Sequence, residues 1–163
     1  MLWKQDRALL LEHEYQAKRH QIAQYFDKTA LKAWERLTSN DESLSFIRES
    51  VREGRESMQS HILERIGENL SGKSVLDAGC GTGLVGLELK KFGYKNFHGA
   101  DLSQKLLDTI PNNLYQKLIK VDLNKPIEVE DNFYDAVMCV GTFTFGHVKP
   151  QALDEFVRIT KKG

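Results

Sequence analysis

Gly79, Gly81 and Gly83 fall at every second position just after Asp77, in the run S-V-L-D-A-G-C-G-T-G-L-V-G from Ser74 to Gly86. Glycines at this spacing let a chain turn sharply and bring bare backbone against a ligand. The N–H groups of such a turn, and of a helix opening behind it near Leu84, favour polar or anionic ligand groups. Gly81, Gly83 and Gly86 also spell G-x-G-x-x-G, with Asp101 about 20 residues further on, as in a dinucleotide site. That pattern alone is weak evidence. An acid at the strand end, Asp77, sits badly beside a pyrophosphate and well beside an ammonium. The full string D-A-G-C-G-T-G therefore fits a sulfonium amino-acid cofactor better, with a dehydrogenase or a purely structural turn as the rivals.

The elements around this turn must place it at a sheet edge. Val75 and Leu76 are β-formers that predict a short buried strand. Leu84, Leu87 and Leu89 predict a helix stopped by Gly93, and Asn96 to Ala100 a second strand. Strand, helix and strand in this order make a right-handed crossover, so the two strands are expected to be parallel neighbours. Asp101 then emerges on the same edge as the turn, where it can accept from both ribose hydroxyls or cap a helix starting near Ser103. A helix from Gln104 to about Ile110 and a strand from Leu114 to Val121 repeat the pattern and end in Asp122-Leu123. Phe133 to Val140, F-Y-D-A-V-M-C-V, predicts a fourth strand in the sheet centre beside the first, too continuously apolar to be half exposed. His147 is the one ionisable candidate base in the aromatic loop Gly141 to Lys149, though a loop histidine is also often simply solvated. Pro150 suits the first turn of a helix over Ala152 to Thr160, whose apolar face is Leu153, Phe156, Val157 and Ile159.

Ahead of the turn, residues 1 to about 24 are polar and lack Gly and Pro, with Leu9, Leu10, Tyr15, Ile22, Tyr25 and Phe26 as the main apolar points. This predicts a loosely amphipathic helix. It is either a solvated arm or a cap over substrate or membrane surface that uses Trp3 and Leu9 to Leu11. A second helix is expected over Ala30 to Leu37, ending before the polar cluster Thr38 to Ser43. Ile47, Val51, Met58, Ile62 and Ile66 then recur at helical spacing, with Gly54 marking a bend or close contact. Residues 1–70 thus read as a helical cap and 71–163 as the ligand-binding domain.

Composition narrows the class. The 163 residues are 40% hydrophobic and 28% charged, enough for one domain with a real core. Lys plus Arg and Asp plus Glu are both 23, so the net charge calls for neither nucleic acid nor an anionic membrane. Cys80 and Cys139 suit buried reduced thiols and a cytoplasmic setting. No apolar run approaches the roughly 18 residues of a membrane span, and no metal is expected.

The string around Asp77, Ala78, Gly79, Cys80, Gly81 and Gly83 resembles motif I of the class I S-adenosylmethionine-dependent methyltransferases. The resemblance implies a Rossmann-like α/β sheet of parallel strands in the order 3-2-1-4, with an N-terminal helical cap. That fold normally continues into a fifth strand and a terminal hairpin, which are expected to be missing here. The resemblance also implies S-adenosyl-L-methionine as cofactor, with Asp101 and Leu102 at the ribose, Asp122 and Leu123 at the adenine, and Val140 and Gly141 as further cofactor contacts. Two narrower resemblances cover different parts. Y-F-D-K-T-A-L-K-A-W-E-R-L-T (Tyr25 to Thr38) and I-R-E-S-V-R-E-G-R-E-S-M (Ile47 to Met58) are similar to the N-terminal arm of magnesium-protoporphyrin IX O-methyltransferases, as is the chain on to about Gly93. G-A-D-L-S, L-Y-Q-K-L-I-K-V-D-L-N and Y-D-A-V-M-C-V-G-T-F-T-F-G-H-V resemble the Williams–Beuren region methyltransferase-like proteins. The porphyrin family implies a substrate-capping arm and a functional tyrosine at Tyr25; His147 is not carried over from it.

The expected activity is methyl transfer to a small molecule, with a porphyrin carboxylate as the specific candidate. A propionate, with a pKa near 4.3 like that of Glu, is already ionised at neutral pH and needs no strong base. A hydroxyl or amine acceptor would call on Tyr25 or His147. The rival expectation is a cofactor-binding module inactive without a partner chain, self-associating through an open apolar edge at Phe133 to Val140.

Overall fold

A computed structural model of the chain describes residues 2–30, 49, 50, 53, 54, 56, 57, 60, 61, 64, 72–143 and 147–162. The first element is one long helix, α1 (Leu2–Tyr25), which runs directly into a single wider π-helical turn at Phe26–Ala30. Its Leu9 and Leu10 are both exposed. The described residues among 49–64 are all helical, and among the described residues a Cβ at Gly54 meets nothing within 4 Å. The rest of the expected Ala30 to Leu37 helix, the cluster Thr38 to Ser43 and the stripe Ile47, Val51, Met58, Ile62 and Ile66 lie outside the described residues.

The sheet has four parallel strands: β1 (Val75–Ala78), β2 (Phe97–Asp101), β3 (Lys117–Lys120) and β4 (Ala136–Met138), in the order β3-β2-β1-β4. Between them run α2 (Leu84–Lys91) and α3 (Gln104–Asp108), and α4 (Ala152–Ile159) follows β4. β1 is paired on both sides, with Asp77 opposite Gly99 and Met138. Alternation along β1 sends Val75 into one core, with Leu89, Phe97 and Tyr115, and Leu76 and Ala78 into the other, with Ile127, Tyr134 and Phe156. That two-sided burial is why β1 reads as continuously apolar.

Three expectations are corrected. β4 is three residues long and lies at the edge of the sheet rather than its centre. Its flank is half exposed at Phe133, and the Asp135 carboxylate is turned back to accept from the Ser74 N–H at 2.8 Å. The outer side of that flank is also not fully open: Tyr134 bridges Thr160 in parallel, with the Lys161 N–H donating to the Tyr134 carbonyl at 2.8 Å. On α4 the buried stripe is Ala152, Phe156 and Ile159, at spacings of four and three, while Leu153 and Val157 face outward.

Candidate functional site

The turn after β1 is built by its neighbours. The Gly79 and Cys80 N–H groups both donate to the Ala100 carbonyl, at 2.7 and 3.0 Å, and the Gly83 N–H donates to the Cys80 carbonyl at 2.8 Å. The Gly81 N–H donates to Asp101 Oδ2 at 2.9 Å. These amides are therefore spent inside the protein and do not form the anion cradle that the glycine spacing suggested. Gly79 is required by space as well as conformation: its φ is +80°, and a Cβ would lie 2.1 Å from Thr142 Oγ1. The Thr142 hydroxyl donates to the Ala78 carbonyl at 3.3 Å, holding the loop after β4 against the end of β1.

Above the turn, at the carboxyl edge of the sheet, is a cavity of about 450 Å³, within the range of small-molecule sites. Gly79, Cys80, Gly81, Asp101, Leu102, Asp122, Leu123, Val140, Gly141 and His147 all line it. Residues named from sequence in four separate chain segments thus meet on one surface. Asp77, Ala78, Gly83 and Tyr25 are not among its lining residues. Asp77 is 1% exposed, because strand alternation points its carboxylate into the core, where the Tyr115 hydroxyl donates to Oδ2 at 2.6 Å. Burial pushes the Asp77 carboxyl up to about 7; the Tyr115 bond opposes the rise and the nearby Asp101 charge adds to it. Tyr25 is 52% exposed and packs edge-on against Phe26, which does line the cavity.

Asp101 is held on both oxygens, by the Gly81 N–H and, through Oδ1, by the Ser103 N–H at 2.9 Å. Its acidity is lowered by burial, against the pull of those backbone donors. The Ser103 hydroxyl caps α3 by accepting from the Leu106 N–H, and donates to Asp27 of the π turn. The arm is thereby tied down beside Asp101.

Asp122 is more crowded than its sequence position suggested. Tyr15 of α1 donates its hydroxyl to Asp122 Oδ2 at 2.5 Å, and Arg19 Nε lies 3.1 Å from the same oxygen, paired by charge but not aligned to donate. The Tyr15 ring lies 4.7 Å from Lys125 Nζ and 5.0 Å from Lys149 Nζ. Asn124 ties the two loops together: its amide donates to the His147 carbonyl at 2.9 Å and accepts from the Lys149 N–H at 2.7 Å. The His147 ring packs edge-on against Phe26 at 5.3 Å. Tyr15, Asn124 and Thr142 were missed by sequence reading. Only Tyr15 left a signal there, as an apolar point on an otherwise polar helix.

A parallel 3-2-1-4 sheet with its site at the carboxyl edge, a glycine turn after β1 and an acid ending β2 defines a Rossmann-like α/β protein of the class I methyltransferase kind. The methyltransferase domain family matches residues 75–163, more than half of the chain, and the chain belongs to that family. S-adenosyl-L-methionine is the cofactor of this class of methyltransferases. Over 105 residues the chain is 42% identical to the magnesium-protoporphyrin O-methyltransferase of Rhodobacter capsulatus, covering 64% of this chain and 46% of that protein. It is 37% identical over 91 residues to human methyltransferase-like protein 27, covering 55% of this chain and 37% of that one. The chain therefore spans less than half the length of these two relatives. In fold it matches the Synechocystis magnesium protoporphyrin IX methyltransferase crystallised with bound S-adenosylmethionine, with a TM-score of 0.72 and 20% identity, over 88% of this chain and 72% of that one. Among the described residues no helix is long and apolar enough to cross a membrane.

Proposed function

We propose that the chain binds S-adenosyl-L-methionine in the cavity above Gly79 to Gly81 and methylates a carboxylate of a porphyrin such as magnesium protoporphyrin IX. The observation that carries the cofactor reading is the state of the turn. Its amides are spent internally while Asp101 and Asp122 face the cavity, which suits a hydroxylated, cationic ligand and disfavours a pyrophosphate. The porphyrin reading is supported by the 42% identity to the Rhodobacter enzyme.

When bound, the cofactor supplies a methyl group already activated on a sulfonium. The remaining tasks fall to the chain's own residues. Asp101, locked by Gly81 and Ser103, is set to accept the ribose hydroxyls, with Leu102 beside it. Leu123 is assigned to the adenine face, with Val140 and Gly141 closing the far side. Asp122 takes the adenine amine once Tyr15 yields its bond. Phe26 and Ile22 on the arm exclude water, while Lys18 and Lys149 at the cavity wall attract an acceptor carboxylate. Such positioning can supply about 7–11 kcal/mol of the barrier, so a carboxylate acceptor needs no base. Tyr25 and His147 are then left to orient the acceptor.

The test is incubation of the purified chain with S-adenosylmethionine and magnesium protoporphyrin IX, with mass spectrometry of the porphyrin. A methyl ester formed at a rate that falls on adding S-adenosylhomocysteine is expected. Cofactor binding without ester would discard the porphyrin substrate and leave the methyltransferase reading.

A further inference from the structure

The charged groups of the cavity wall are sorted by origin. Asp101 ends β2 and Asp122 follows β3, whereas Lys18 and Arg19 come from α1 and Lys149 from the segment after β4. The cations are not equivalent. Arg19 is drawn to Asp122 at 3.1 Å, and Lys125, which is not among the lining residues, is paired with Glu12 at 2.9 Å. Lys149 is held in another way. Its backbone N–H donates to Asn124 Oδ1 at 2.7 Å, and its ammonium lies 5.0 Å from the centre of the Tyr15 ring, whose hydroxyl is tied to Asp122. Among the described residues no carboxylate comes within 4 Å of that ammonium. A ring face positions a cation without neutralising it, so the charge stays available to an anion entering the cavity.

The anion that Lys149 serves is not the one that reacts. When a carboxylate attacks a sulfonium methyl, an oxygen electron pair forms the C–O bond and the C–S bonding pair goes to sulfur, leaving a neutral ester and a neutral thioether. An ammonium on the attacking oxygen would therefore stabilise the ground state more than the transition state, and would slow the transfer. On a second anionic group, whose charge does not change, the same ammonium binds both states alike and lowers KM without that penalty. We propose that Lys149 is a specificity-determining residue that holds a second carboxylate of the methyl acceptor, so that the site selects dicarboxylates. This rests on the carboxylate-methylation reading above and deepens it. A porphyrin with two propionates presents one to the methyl group and the other to Lys149.

The experiment is calorimetric titration of magnesium protoporphyrin IX, and of the same porphyrin with one propionate already esterified, into the S-adenosylhomocysteine-saturated native chain, Lys149→Gln and Lys149→Arg. The native chain should prefer the dicarboxylate by about three- to tenfold, as expected for one charged hydrogen bond at a partly exposed site. Lys149→Gln should bind both porphyrins within about twofold of each other, while Lys149→Arg keeps the preference. In turnover of the dicarboxylate, the loss in Lys149→Gln should fall on KM rather than kcat. Raising salt from about 0.05 to 0.5 M should shrink the native preference, a measurement that needs no variant to fold. Equal binding of the two porphyrins by the native chain, a full preference retained in Lys149→Gln, or a native preference that salt leaves alone would each overturn the inference while leaving carboxylate methylation in place. Binding of neither porphyrin by the native chain would overturn the porphyrin reading, and this inference with it.

Discussion

Replacing Asp77 by Asn should stabilise the unliganded chain at alkaline pH and do the reverse at acid pH. The carboxyl is fully buried and raised from 3.8 to about 7, so the folded chain holds this proton more tightly than the unfolded one does. Its contribution to stability is complete below about pH 4 and is lost as the pH rises through about 7. At about 1.4 kcal/mol per pH unit, ionising Asp77 costs the fold on the order of 4 kcal/mol by pH 8. Asn keeps an acceptor for the Tyr115 hydroxyl but replaces the second carboxylate oxygen with a buried NH₂ donor, at a cost of about 1–3 kcal/mol when it is left without an acceptor. The variant should therefore be more stable than the native chain by about 1–3 kcal/mol near pH 8. Between about pH 5 and 8 the native chain should lose about 3 kcal/mol relative to it, whatever the amide costs. In thermal unfolding this is a change of about 6–10 °C in the difference between the two melting temperatures. A difference that stays constant over that pH range would refute the claim that Asp77 ionises at a cost inside the core.

Other perturbations test the site piece by piece. Gly79→Ala forces a side chain to positive φ and against Thr142, so S-adenosylhomocysteine affinity should fall at least about tenfold by calorimetry, with about 1–2 kcal/mol lost in stability. Gly54→Ala, at a helical position where a Cβ meets nothing within 4 Å among the described residues, should instead gain about 0.5–1 kcal/mol in a denaturant melt. Tyr15→Phe frees Asp122 from an arm hydroxyl and should tighten S-adenosylhomocysteine binding by about two- to tenfold. Asn124→Ala removes both bonds to the His147 to Lys149 backbone; acceptor KM should rise about tenfold while cofactor affinity changes less than about threefold.

The sheet was legible because its signals are local: the glycines follow β1 directly, Asp101 ends β2 and Asp122 follows β3. The crossover rule makes β1 and β2 parallel neighbours, while the order 3-2-1-4 came from the methyltransferase resemblance. The errors arose where tertiary partners decide. The run from Phe133 to Val140 looks fully apolar, yet Asp135 and Tyr134 are drawn off to Ser74 and Thr160, which leaves three residues in the ladder. Leu153 and Val157 are as apolar as Phe156, and only the rotation of α4 on the sheet decides which of them is buried. In the site, a run of bare glycine amides looks like an anion cradle until the Ala100 carbonyl and Asp101 are seen to occupy it. Asp77 and Tyr115, 38 residues apart in sequence, meet only because the segment before β3 packs back against β1.

The central claim is that the cavity beside Asp101 is a cofactor site for S-adenosylmethionine and not a dinucleotide site. Calorimetric titration of S-adenosylhomocysteine and, separately, NAD into the native chain and Asp101→Asn tests it most directly. Saturable binding of S-adenosylhomocysteine alone, weakened at least about tenfold by the loss of the charge and of one acceptor oxygen at Asp101, is the predicted result. Binding of NAD, or S-adenosylhomocysteine affinity indifferent to Asp101→Asn, would contradict it.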